Sequence, residues 1–208
     1  MAFGDCPDDP LLRDAWQTFC RRLERAGDRA FKDYNPATAL HRADAFRFLT
    51  QNLGQAFDLA LETRDGRYPV LHPFCTPSRK LGGDAADFLY LQAWIDGESV
   101  YKISGNRGTA RFFNITVQGE RPDHQPGTDI PSLHDPFGDI PEANLFGHQL
   151  TTAADGTFEL IIGGPGREPN WLPTTASSRK LFLRQGFDRW DELPASLDVN
   201  ERTFLRTL

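Results

Sequence analysis

The chain has 208 residues, 39% of them hydrophobic and 12% aromatic, with a net charge of −6. That suits one domain, or one domain with an appendage, with enough apolar mass for a real core. The acidic balance argues against nucleic acid and against an anionic membrane surface, and no run of 18 apolar residues is present.

The first third reads as helix. Leu12, Trp16, Phe19, Leu23 and Ala26 make one apolar face. Asp8 and Asp9 before Pro10 form the start signal, with Asp9 as the cap and Pro10 in the first turn. Gly27 and Asp28 end the segment. A second helix is predicted from Asn35 as cap and Pro36 in its first turn, with Leu40, Ala43, Leu49, Leu53, Phe57 and Leu61 on its stripe and Gly66 as terminator. Residues 1–68 are thus expected to be a helical region, and residues 69–208 a β domain.

Beyond Pro69, glycine and proline become frequent and short β-branched or aromatic runs appear. The predicted strands are Phe88–Ile95, Ser99–Ser104, Thr109–Gln118, Gln149–Thr152, Thr157–Gly163 and Lys180–Phe187. They recur at hairpin distances without intervening helices, which predicts an antiparallel sandwich or jelly roll. "YKISGNRGTARFF" reads as a hairpin, its glycines freeing the turn backbone, and "ADGTFELII" as a second hairpin turn feeding a strand. Residues 120–141, rich in Pro, Gly, Asp and His, read as a long loop that is either functional or mobile.

Several polar residues invite a functional reading beside a structural one. Arg107 either reaches over the sheet to bind an anion, is solvated on its turn, or pairs with an acid such as Asp87. Asp84, Asp87 and Tyr90 are spaced by three; if that stretch is helical they share a face suited to acid–base work, and otherwise Tyr90 packs on the sheet. In "EPNWLP", Asn170 either satisfies buried backbone groups or meets a ligand, and Trp171 is a core anchor or a stacking surface. In "KLFLRQGF", alternation puts Leu181, Leu183, Gln185 and Phe187 opposite Lys180, Phe182, Arg184 and Gly186. Arg184 therefore shares an aromatic face, paired there or aimed at a pocket.

His41, His72, His124, His134 and His148 form no metal-binding strand motif, so no metal is expected; the nucleotide-binding, serine-hydrolase and zinc-protease motifs are absent too, and no cofactor is assigned. Cys6, Cys20 and Cys75 fit neither a disulfide framework nor a zinc pattern, and Cys75 is either a packing residue or a reactive thiol. The N-terminus lacks a basic stretch followed by an apolar one, and the reading is a cytoplasmic protein with reduced thiols.

The stretches "GGDAADFLYLQAWIDGESVYKISGNRGTARFFNITV", "DGTFELIIG", "NWLP", "LFLRQGFDRWDE" and "PASLDVNER", in that order, resemble the family catalogued as domain of unknown function 1214 over roughly residues 82–202. The resemblance implies a jelly-roll-like β-sandwich and no particular chemistry. The matching polar positions are Asp84, Asp87, Tyr90, Asn106, Arg107, Asn170, Trp171, Arg184, Asp188 and Trp190.

The expectation is an α+β fold, two N-terminal helices packed on an antiparallel sandwich. The first functional expectation is a cofactor-independent enzyme acting on a small apolar or aromatic molecule, a lyase, isomerase or hydrolase. In it Asp87 or a loop histidine such as His134 is the base, Tyr90 the acid, and Arg107 and Arg184 hold an anionic group, beside Asn170 and Trp171 as ligand contacts. The alternatives are a non-catalytic small-ligand-binding module and an oligomeric interaction protein, which leaves a homo-oligomer open.

Overall fold

A computed structural model of the chain describes residues 6–80, 85–120 and 139–201. The fold is α+β: two helices, then nine strands in two sheets, with no closed barrel among the described residues. The chain divides into two compact units, residues 1–54 and 55–208. That boundary lies inside the second helix, before the expected one at residue 68. The physical reason is that the end of this helix is bonded into the β body. Gln55 Nε2 donates to Phe74 O, and Leu59 O accepts Trp94 Nε1 at 2.6 Å.

Helix α1 spans Asp9–Asp28, with Asp8 at the cap position and proline in the first turn. The Asp9 carboxylate accepts the Cys6 amide at 3.3 Å and sits at the positive end of the helix dipole. Helix α2 spans Ala39–Phe57 and continues as a π-helical turn over Asp58–Glu62. Its cap is Thr38, whose Oγ1 accepts the His41 amide at 3.3 Å, and not Asn35 as expected. Asn35 instead donates Nδ2 to Arg29 O at 2.7 Å, closing the turn that follows α1.

The strands are β1 (His72–Cys75), β2 (Phe88–Trp94), β3 (Tyr101–Asn106), β4 (Phe112–Gly119), β5 (Ile140–Phe146), β6 (Thr157–Ile162), β7 (Trp171–Leu172), β8 (Ser178–Gly186) and β9 (Ser196–Glu201). One sheet has the order β1-β2-β8-β4-β5 and the other β7-β6-β3-β9. All pairs are antiparallel except β6 with β7. The core joins Ala93, Ile115, Val117, Leu181 and Leu183 of the first sheet to Tyr101, Ile103, Leu160 and Ile162 of the second.

The expected β3–β4 hairpin is not formed, because β3 and β4 lie in different sheets. The "GNRG" segment is the crossing between them. Asn106 fixes it by donating Nδ2 to Asp155 O at 2.7 Å and accepting the Gly108 amide at 2.9 Å. Gly108 has φ +65°, and a Cβ there would meet Leu193 O at 2.3 Å. Glycine is thus required by conformation and by crowding.

The expected strand at Gln149–Thr152 is also absent. Both backbone groups of Thr151 are taken by the Asn170 side chain, which replaces a ladder partner. Four strands escaped the sequence reading: β1, β5, β7 and β9. Pro73 and Pro141 hide the first two, yet both strands are edges of the five-stranded sheet, where a missing N–H is tolerated.

Candidate functional site

The five-stranded sheet buries one face against the other sheet, so strand alternation commits its second face to other residues. Three cross-strand rows build that outer face. Gln118, Lys180 and Trp94 form one, Thr116, Phe182 and Gln92 the next, and Asn114, Arg184 and Tyr90 the third. On β5, Asn144 lies opposite Thr116 and Phe146 opposite Asn114. All of these row residues except Trp94 and Tyr90 line a cavity of about 660 Å³, with Phe74, Phe112 and Phe146 also around it. Phe74 packs edge-on to Phe182 with centroids 5.4 Å apart.

One end of the cavity holds a charge cluster. Lys180 is 5% exposed and its Nζ pairs with Asp139 Oδ2. Asp139 Oδ1 accepts Arg179 Nε at 2.7 Å, and Arg179 Nη1 also reaches Glu120 Oε1 at 3.2 Å. Two consecutive residues reach one carboxylate because Arg179 is the extra residue of a β-bulge: Lys180 pairs with Gln118 but Ser178 with Gly119. The Trp94 ring lies 5.0 Å from Lys180 Nζ and 4.2 Å from Arg64 Cζ. Burial pushes the Lys180 ammonium down to about 8, and the like charge of Arg64 adds to this. Asp139 pulls the other way, but its carboxylate is shared with Arg179, so the downward direction holds.

The middle of the floor is a side-chain amide network. Asn114 Nδ2 donates to Asn144 Oδ1, and the Thr116 hydroxyl lies 2.8 Å from Asn144 Oδ1 and 3.1 Å from Asn114 Oδ1. At the far end Arg184 is half-buried, its Cζ 4.9 Å from the Phe182 ring centroid. Among the described residues it has no acidic partner.

The residues singled out from sequence are dispersed. Arg184 lines the cavity. Tyr90 shares the outer face but stacks between Phe88 and Phe182, and its hydroxyl accepts the Ala85 amide at 3.1 Å. Asp87 is exposed and lines a separate depression of about 420 Å³ with Arg189 and Trp190. The helical spacing assumed for Asp87 and Tyr90 does not apply, since Tyr90 lies in β2 and Asp87 just precedes it. Arg107 sits at the sheet crossing, 5.8 Å from the Phe113 ring and donating to Gly108 O at 3.3 Å. The inter-sheet route of the chain carries it elsewhere, so among the described residues Asp87, Tyr90 and Arg107 line no common cavity.

Asn170 is buried and bonded three times to backbone, to both groups of Thr151 and to Glu159 O at 3.0 Å. It acts as a structural clip between these backbone groups. Trp171 donates Nε1 to Gly163 O at 3.1 Å, and it lines neither cavity. His134, Asp84 and most of the 120–141 loop lie outside the described residues. The sequence reading missed Lys180, Asp139, Asn114, Thr116 and Asn144. A lysine alternating with Phe182 and Arg184 on a largely apolar strand was the signal available for the first.

Among the described residues, no group of three or more His, Cys, Asp or Glu side chains is placed to hold a metal ion, and no helix is long and apolar enough to cross a membrane.

No protein-family model and no curated protein matches the chain. Among solved structures, an uncharacterized protein from Burkholderia cenocepacia superposes with a TM-score of 0.77 at 28% identity, over 92% of this chain and 50% of its own. The VPA0106 protein from Vibrio parahaemolyticus aligns with a TM-score of 0.39 at 11% identity, over 81% of this chain and 46% of its own. The chain spans about half the length of each, and the first likeness supports the two-sheet fold.

Proposed function

We propose that the outer face of the five-stranded sheet is a binding site for a small organic anion with an aromatic or apolar body, in a cytoplasmic protein. The observation that carries this is Arg184, a half-buried guanidinium with no acid partner among the described residues, set beside phenylalanine rings in a cavity of about 660 Å³. That volume is in the range of small-molecule sites, where apolar walls supply affinity and a few polar groups fix orientation. The Asn114–Thr116–Asn144 network offers hydrogen bonds between the walls. A binding module accounts for these features better than an acid–base enzyme built on Asp87 and Tyr90, because those two residues do not meet in the cavity.

The experiment is calorimetric titration of the protein with benzoate and phenylacetate. Binding that weakens about tenfold or more in Arg184→Gln is expected, as for loss of a charge-assisted hydrogen bond. Equal affinity in the variant would remove the anion site from the reading.

A further inference from the structure

We propose that Lys180 is a carbonyl-reactive amine that condenses with an aldehyde or ketone group of the ligand in this cavity. This rests on the binding reading above and adds a reaction to it.

Lys180 has the position such an amine needs. It lines the cavity, yet its side chain is 7% exposed, so bulk water reaches it poorly. The groups around it are Asp139, Arg179, Arg64, Gln118 and the Trp94 ring, with Glu120 reached through Arg179. Arg179 shares the Asp139 carboxylate, so the ammonium is only partly compensated, and burial lowers its basicity. Asp139 supplies the proton acceptor in contact with Nζ. Arg184 lies on the same face of the same strand, four residues on, or roughly 13 Å at strand spacing, with Phe182 between them. A carboxylate held at Arg184 and a ring over Phe182 would point the other end of an oxo-carboxylate toward Lys180.

The step balances without an oxidant or reductant. Asp139 takes one proton from the ammonium. The freed lone pair attacks the carbonyl carbon, a C–N bond forms, and the C=O π pair moves to oxygen. A proton passes from nitrogen to that oxygen, giving the carbinolamine. Asp139 then returns its proton to the hydroxyl, the C–O bond breaks and water leaves. The protonated imine remains paired with the Asp139 carboxylate.

The test incubates the full chain with 4-formylbenzoate and sodium cyanoborohydride, which traps an imine as a stable amine, and maps the adduct by peptide mass spectrometry. The alcohol analogue 4-(hydroxymethyl)benzoate is titrated in parallel, since it can occupy the site but cannot condense. Expected is an adduct at Lys180 at least tenfold above Lys32, Lys80 and Lys102, rising with pH around a midpoint of about 8 and lost in Lys180→Arg. If the alcohol binds but Lys180 is unlabelled, or the lysines label evenly, the amine proposal is overturned and the binding site stands. If neither compound binds, both readings fall together.

Discussion

Asn170 holds Thr151 by both backbone groups, donating Nδ2 to Thr151 O at 2.8 Å and accepting the Thr151 amide through Oδ1 at 2.8 Å. A buried side-chain amide here replaces a neighbouring strand and sets where the segment before β6 runs. Asn170→Ala would leave the Thr151 amide and two carbonyls short of partners, at about 1–3 kcal/mol for each group left unsatisfied. A loss of about 3 kcal/mol in urea unfolding is expected, while benzoate affinity at the distant cavity residues stays unchanged. A loss under 1 kcal/mol would mean that water or a neighbouring group replaces the amide.

The carboxylate of Asp139 offers a second test. Asp139→Ala strips a buried counter-charge from Lys180 and Arg179, which costs about 3–5 kcal/mol for a buried pair. Adding Lys180→Met to that variant should restore part of the loss, because the uncompensated ammonium is gone. Additive losses in the double variant would show that the two groups do not interact.

Stability should also depend on pH through Lys180. Its folded pKa of about 8 lies below the ordinary 10.5, so between these values the unfolded chain binds more protons than the folded one. Stability contributed by this group therefore rises with pH across that window and is smallest below pH 8. The size is on the order of 2 kcal/mol once the opposing Asp139 pair is discounted. Urea midpoints of the wild type and Lys180→Met, compared at pH 7.5 and 10, should shift in the wild type's favour at the higher pH. Parallel curves would contradict the lowered basicity.

Two glycines should respond in opposite ways. Gly108→Ala must force φ +65° on a residue with a Cβ and drive that atom toward Leu193 O, so a loss of about 2 kcal/mol or more is expected. Gly54, inside α2, has nothing within 4 Å of a Cβ, and Gly54→Ala should gain about 0.5–1 kcal/mol from helix propensity. Thermal unfolding of the two variants reads both signs, and a destabilised Gly54→Ala would show a contact that α2 must avoid.

Much of the local order was legible in the sequence, because it depends on neighbours in the chain. Asp8 to Pro10 announce α1, and alternation assigns Leu181 and Leu183 to one face of β8 and Lys180, Phe182 and Arg184 to the other. The place of Arg184 was legible that way, since a charge beside Phe182 on one strand face is visible without coordinates. Edge strands β1 and β5 were not legible, because a proline reads as a breaker until the sheet order places it on an edge strand.

The sequence by itself determined the two helices, the strands β2, β3, β4, β6 and β8 with the faces of β8, and the conformational need for glycine near Arg107. Only the tertiary structure decided which strands share a sheet, and so which of those faces meet. Strand alternation is a property of consecutive residues, whereas sheet membership depends on partners far along the chain. That is why "GNRG" could read as a hairpin and proved to be a crossing between sheets. The same long-range pairing set Lys180 beside Trp94, Gln118 and Asp139, and placed Asp87, Tyr90 and Arg107 on different parts of the described structure.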